Sequence, residues 1–201
     1  MSLLNDFITE LSKVSQLKES SEMEVYFDKL SDYLFHHLAI KAGEKTYTFI
    51  EVEFYYYNKN GIFNGPLYSC TYPRTRNAGQ FFWHYSGLDI CFESSEENRY
   101  FGGILIRSLK KQKDDQKKND EEREEIIAGP MRCSDEILNS CETKLPELIE
   151  YESNPDSEPQ TTFRYGVKTD KEQDKYRYFI PQDKWTRTRN NVLVEDKSTG
   201  G

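Results

Sequence analysis

The sequence predicts an α+β protein of one domain, a helical layer at the N-terminus followed by a single strongly bent, mostly antiparallel β-sheet or barrel. Two patterns and one compositional fact carry that prediction. Apolar residues recur at helical spacing up to Leu38, and from Thr46 onward the runs turn rich in β-branched and aromatic side chains. The 14 tyrosines and 12 phenylalanines among 201 residues supply a core although only 36% of the chain is hydrophobic and 31% is charged. A chain of 23.7 kDa has room for one domain with a real core and not for two of ordinary size.

Each element follows from local spacing. Leu3, Leu4, Phe7, Ile8 and Leu11 form one helical stripe over residues 2 to 19, and Tyr26, Phe27, Leu30, Leu34 and Leu38 form a second over residues 24 to 40. Strands are predicted over 46 to 57, over 80 to 93 ("QFFWHYSGLDICFE"), over 102 to 109 ("GGILIRSL"), and over 162 to 168 and 175 to 180. The stretch 110 to 125 is almost wholly charged or amide-bearing and predicts a solvated surface insertion. A short helix is predicted with Ser134 as its N-cap and an end near Pro146, followed by an acidic, proline-bearing loop over 150 to 160. The domain thus divides into a helical extension (1 to 24), a body (25 to 180) and a C-terminal tail (181 to 201).

Several function classes fall away. No basic start with an apolar stretch and cleavage site opens the chain, and no apolar run approaches a bilayer's thickness, so a soluble, cytoplasmic protein without a membrane partner is expected. Cys70, Cys91, Cys133 and Cys141 show no metal-ligand spacing, and reduced, mostly buried thiols are expected rather than a metal site. No glycine pattern cradles a phosphate before a helix, and no nucleophile elbow accompanies His36 and His37. No cofactor is expected. The net charge of −8 opposes a phosphate-rich partner, but residues 1 to 24 and 142 to 160 account for all of it. The remainder is neutral and carries basic stretches, "YPRTRNAGQ" (72 to 80) and "KWTRTRNN" (184 to 191), which suit a nucleic-acid contact or a plain solvated loop.

The run "TFIEVEFYYY" (48 to 57) sets two carboxylates among residues that ask for burial. Alternation puts Glu51, Glu53 and Tyr55 on one face and Val52 and Phe54 on the other. For Glu51 the wet face of an antiparallel strand is the expected setting; for Glu53 that setting and a catalytic one stand equal.

Taken in order, "FDKLSDYLFHHLAIKAGEKTYTFIEVEFYYY", "PRTRNAGQFFWHYSGLDICFE", "GGILIRSL", "IIAGPMRCSDEI", "FRYGV" and "KYRYFI" resemble the alkyladenine (3-methyladenine) DNA glycosylase family over about residues 27 to 180. The resemblance implies a 3-methyladenine DNA glycosylase-like fold carrying Glu53, Trp83, Cys91, Arg107 and Tyr178 on neighbouring strands. It implies hydrolysis of the N-glycosidic bond of damaged purines in DNA. Such a reaction passes through an oxocarbenium-like sugar and needs a carboxylate to activate water and steady the charge. Glu53 matches the family's catalytic glutamate and Tyr55 its base-stacking tyrosine. Trp83, His84 and Arg107 are the further expected pocket residues, although a satisfied histidine and an internal ion pair describe the latter two as well. Arg74, Arg76, Asn77 and Ser86 are the positions expected to meet nucleic acid. No lysine is placed to form a sugar Schiff base.

Departures from the family bear on the same residues. Ser86 stands where the family has the tyrosine that wedges into the DNA stack, and Glu93 where it has an asparagine. No histidine lies between Tyr55 and Arg74. The alternative is therefore a non-catalytic relative whose pocket binds nucleic acid, nucleotide or protein.

Overall fold

The computed structural model describes residues 2–17, 19–60, 71–112, 125–141, 143–155, 157–167, 175–182, 185–187 and 193–195. Cys70 and most of the 110 to 125 stretch lie outside them.

Helix α1 (Leu3–Leu11) is capped by Ser2, whose hydroxyl accepts from the Asn5 N–H, and it buries Phe7 and Leu11. A short 3₁₀ turn (Val14–Gln16) leads to α2 (Ser20–Asp32), opened by a capping box between Glu19 and Glu22. The helical spacing predicted to reach residue 40 gives out sooner. The chain widens to a π turn over Tyr33–His37 and then enters strand β1 (Leu38–Ala42). Leu38, Ala39 and Ile40 fit either periodicity, and the ladder partners on both sides of β1 decide for the strand.

Strand β2 (Lys45–Asn58) is the spine of the sheet. The run 80 to 93 is a hairpin rather than one strand: β3 (Phe81–His84) and β4 (Gly87–Cys91) turn at Tyr85 and Ser86, and Gly87 takes φ 141°, which a side-chain-bearing residue resists. β5 (Tyr100–Lys111) and β6 (Glu125–Ala128) extend the predicted strand at 102 to 109 into what composition marked as an insertion. Helix α3 (Pro130–Ser140) starts four residues before Ser134, with Gly129 at φ 105° and Pro130 in its first turn. Ser134 is buried inside that helix instead of capping it, and α3 ends at Ser140, well before Pro146. The strands β7 (Glu147–Glu150), β8 (Gln160–Thr162) and β9 (Arg177–Phe179) follow, and β10 (Trp185–Arg187) pairs with β11 (Leu193–Glu195) in a separate two-stranded ladder within the tail. The expected strand over 162 to 168 reaches only Thr162, because the chain leaves the ladder for a turn at Tyr165 and Gly166.

The strands run β3-β4-β5-β2-β1-β7, every pairing antiparallel, with β6 beside β5 and β9 beside β2. The sheet curls into a half-barrel. Trp83, Cys91, Arg107, Glu53 and Tyr178 stand on the successive neighbours β3, β4, β5, β2 and β9, as the sequence predicts. Val52, Phe54 and Tyr56 of β2 project toward the N-terminal helices, where Phe54 stacks on Phe27 at 4.4 Å between ring centres. Burying each such side chain contributes about 1.5–3 kcal/mol. The opposite face of the same strands carries the site.

Candidate functional site

A register slip builds the polar face. Along the β2–β5 ladder Phe49 pairs with Leu109, Glu51 with Ser108 and Val52 with Ile106, so Ile50 and Arg107 are the extra residues of a double irregularity around Glu51. A bulge re-aims side chains, and here Arg107 and Ser108, consecutive in sequence, both reach the acidic face. The Arg107 carbonyl, lost to the ladder, accepts from the Gly129 N–H at 2.8 Å. On the other side of β2, Arg177 sits directly opposite Glu53.

The result is a buried group of two carboxylates and two guanidiniums. Glu51 and Glu53 are wholly inaccessible, Arg107 is 3% exposed and Arg177 1%. Glu51 accepts from Arg107 Nε at 3.2 Å, from Ser108 Oγ at 3.0 Å and from Arg177. Glu53 accepts from Arg107 Nη1 at 3.1 Å, from the Tyr55 hydroxyl at 2.8 Å and from the Tyr165 backbone N–H at 2.6 Å. The wet face expected for Glu51 is thus corrected: its carboxylate is wholly inaccessible, and β9, paired beside β2, supplies a second cation. Burial alone would lower the pKa of both guanidiniums. For Arg107 the Glu53 and Glu51 carboxylates more than offset it and raise the pKa above its usual value. For Arg177, burial prevails with help from the like charge of Arg107. Charges this deep persist only when paired, and each of these is, although Arg177 Nη1 has no hydrogen-bond partner among the described residues.

Beside the group lies a cavity of about 330 Å³. Tyr55, Tyr72, His84 and Tyr165 give it aromatic walls; Arg74, Ser86, Asp89 and Arg107 give it polar ones; Leu105, Pro130, Gly166 and Val167 complete it. Glu53 stands one layer back, joined to the cavity through Tyr55 and Arg107, the two lining residues that hold its Oε2. Burial, and then the neighbouring Glu53 charge, push the Tyr55 hydroxyl well above its ordinary pKa, so it stays a hydrogen-bond donor. The Arg164 guanidinium lies over the Tyr55 ring at 4.8 Å and fixes its plane from one side.

A second charged cluster lines the cavity wall. Asp89, 1% exposed, takes Arg74 on Oδ2, while Arg74 Nη1 also donates to the Tyr72 carbonyl at 2.9 Å. His84 Nδ1 accepts from the Ser86 N–H at 3.3 Å, which assigns the ring proton of the neutral imidazole to Nε2. Gly103 makes the space for Asp89, since a Cβ there would lie 3.1 Å from the Asp89 Cβ and 3.2 Å from the Ile90 carbonyl oxygen.

Of the residues singled out from sequence, Tyr55, Arg74, His84, Ser86 and Arg107 meet around this cavity with Glu53 behind them. Trp83 does not: it alternates with His84 and faces a different, larger groove of about 860 Å³ between β3, α1 and β7, which Arg76 also lines. Asn77 is exposed in the loop before β3. Glu93 braces that loop by accepting from the Ala78 N–H at 2.9 Å. Sequence reasoning missed Glu51, Tyr72, Asp89, Tyr165 and Arg177. Asp89 and Arg177 carried the signal that marked Arg107, a charge inside an apolar strand; Tyr72 and Tyr165 lie on loops and carried none.

Comparison with known proteins finds no family model, no curated protein and no solved structure that matches this chain.

Proposed function

We propose that this protein takes a purine-type base of a nucleic acid into the Tyr55 cavity and hydrolyses its N-glycosidic bond, with Glu53 as the carboxylate that activates water. The observation carrying this reading is the contact of Glu53 with Tyr55 and Arg107 at the wall of an aromatic cavity. A flat, unstacked base suits walls of tyrosine and histidine, and its N-glycosidic bond needs one carboxylate close at hand. Arg107 orients that carboxylate. Glu53 holds Tyr55 and Arg107 on one oxygen and the Tyr165 amide on the other, which leaves an acceptor site free, but the side chain is wholly inaccessible, so a neighbouring group must move aside to admit a water. The Tyr165 amide is the one to yield, because it lies in a turn with a partly exposed side chain while the others lie on strands.

A second reading, a pocket that binds a base without cleaving it, draws support from the same occupied carboxylate and from Ser86 on the rim. Glu53→Gln separates the two. Duplex and single-stranded oligonucleotides bearing an alkylated or deaminated purine are incubated with each protein, and free base is measured alongside thermal unfolding. The proposal expects base release without strand scission, and a loss of about 10²-fold or more in Glu53→Gln, the scale of a general base. No release by the unsubstituted protein from either form replaces hydrolysis with the binding reading; unchanged release in Glu53→Gln removes that residue from the chemistry.

A further inference from the structure

Three polar atoms on the cavity's charged wall stand without a hydrogen-bond partner among the described residues: Asp89 Oδ1, His84 Nε2 and Arg74 Nε. Asp89 Oδ1 and His84 Nε2 approach to 3.2 Å, yet the alignment of a hydrogen bond is missing. Buried polar groups left so are uncommon and costly, at about 1–3 kcal/mol each. The two are held in place from behind. Arg74 fixes the other carboxylate oxygen, the Ser86 amide fixes the other ring nitrogen, and Phe82 stacks on the imidazole at 5.7 Å between ring centres. An acceptor and a donor therefore sit side by side on the strand pair β3 and β4, just beneath the cavity surface in two residues that line it.

We propose that Asp89 and His84 read the edge of the bound base. Asp89 Oδ1 accepts from an amino or ring N–H group, and His84 Nε2–H donates to the adjoining ring nitrogen or carbonyl oxygen. This inference rests on the cavity being a base pocket and adds its selectivity: the favoured ligand presents a donor beside an acceptor, as the adenine edge does. Arg74 keeps Asp89 in place and acts as a positioning residue. Ser86, too small to wedge a base step, sets the histidine tautomer through its backbone.

Calorimetric titration of the intact protein with adenine, with purine (which lacks the amino group) and with N6,N6-dimethyladenine (which keeps the nitrogen and loses its protons) tests this directly. Adenine is expected to bind about 10- to 100-fold more tightly than either analogue, the loss that follows from leaving a charged acceptor unpaired. Asp89→Asn turns an amide NH₂ toward the cavity once its oxygen is taken by Arg74, so its adenine affinity is expected to fall to the level of purine. Equal binding of the three bases by the unsubstituted protein overturns the inference while leaving the pocket in place. An adenine preference that survives in a folded Asp89→Asn overturns it too. If none of the bases binds, this inference and the base pocket fall together. The unsubstituted series decides the matter even if Asp89→Asn does not fold.

Discussion

The two faces of β2 are equally dry and held by opposite means. On one, Val52 and Phe54 lie in the apolar core, Phe54 stacked on Phe27 of α2, and lose nothing by leaving water. On the other, Glu51 and Glu53 are just as inaccessible, yet each must be matched by donors: Arg107, Ser108 and Arg177 for Glu51, and Arg107, Tyr55 and the Tyr165 amide for Glu53. Burial by itself therefore says little about role. Apolar side chains would fill the second face at no cost in desolvation, and replacing buried ion groups with packed hydrophobes often stabilises a protein. The buried charges beside the aromatic cavity are therefore what the proposed chemistry draws on, since perturbed, buried titratable groups in a cleft are candidates for function.

The sharpest way to break this contrast is to remove one member from each face. Phe54→Ala leaves a cavity and is expected to cost about 3–5 kcal/mol. Glu51→Leu is expected to cost about as much, because it strands the Arg177 charge. The difference appears in the second substitution: Glu51→Leu with Arg177→Met should regain most of the lost stability, since Glu53 and Arg107 still neutralise each other. Denaturant unfolding of the singles and the double measures this. A double no more stable than Glu51→Leu alone would mean that the polar face is held by packing like its opposite.

How legible each face was in the sequence follows from the same physics. The core face announced itself through alternation in "TFIEVEFYYY" and through the helical stripes, so the antiparallel sheet with its helical layer was readable. The ends of elements were not. Leu38 to Ile40 suit helix or strand equally, and only the ladder partners choose. The site face was half readable: Tyr55, His84 and Arg107 converge, but alternation within β3 should have excluded Trp83 once His84 was placed on the cavity side. The bulge that turns Arg107 and Ser108 to the same side has no local sequence signature, so the environment of Glu51 could not be foreseen.

Tyrosines occupy both faces, and alkali sharpens the comparison. Tyr26, Tyr56 and Tyr178 lie on the core side and Tyr55 on the site side, and burial raises the hydroxyl pKa of all four. A raised folded pKa gives stability that is fully present below the unfolded value of about 10 and is lost as pH rises through the folded one. Above about pH 10 each such tyrosine should remove about 1.4 kcal/mol per pH unit. Tyr178→Phe and Tyr55→Phe should therefore flatten the alkaline fall of the unfolding free energy by similar amounts, despite their opposite faces. An unchanged slope in Tyr55→Phe would show that the site side admits water where the core side does not.

The smallest effect on stability is expected at the rim. Tyr85 is 77% exposed at the tip of the β3–β4 hairpin beside Ser86, and its ring meets Tyr72 edge-on at 5.2 Å. Trp83 lines the other groove, so of Trp83 and Tyr85, the large side chains near Ser86, Tyr85 is the candidate wedge under the proposed function. Truncating an exposed side chain usually changes stability by no more than about 0.5 kcal/mol, and Tyr85→Ala should melt with the unsubstituted protein. If the hairpin tip meets duplex DNA, the same substitution should weaken binding to a lesion-bearing duplex by about 1–3 kcal/mol, as loss of an aromatic platform does. Binding to a single strand should fall less, because its bases need no wedge to leave the stack. Titrations at two salt concentrations distinguish this from a loss of ionic contact, which would change the salt dependence. Equal losses on duplex and single strand would leave Tyr85 a stacking surface and assign it no part in opening the helix.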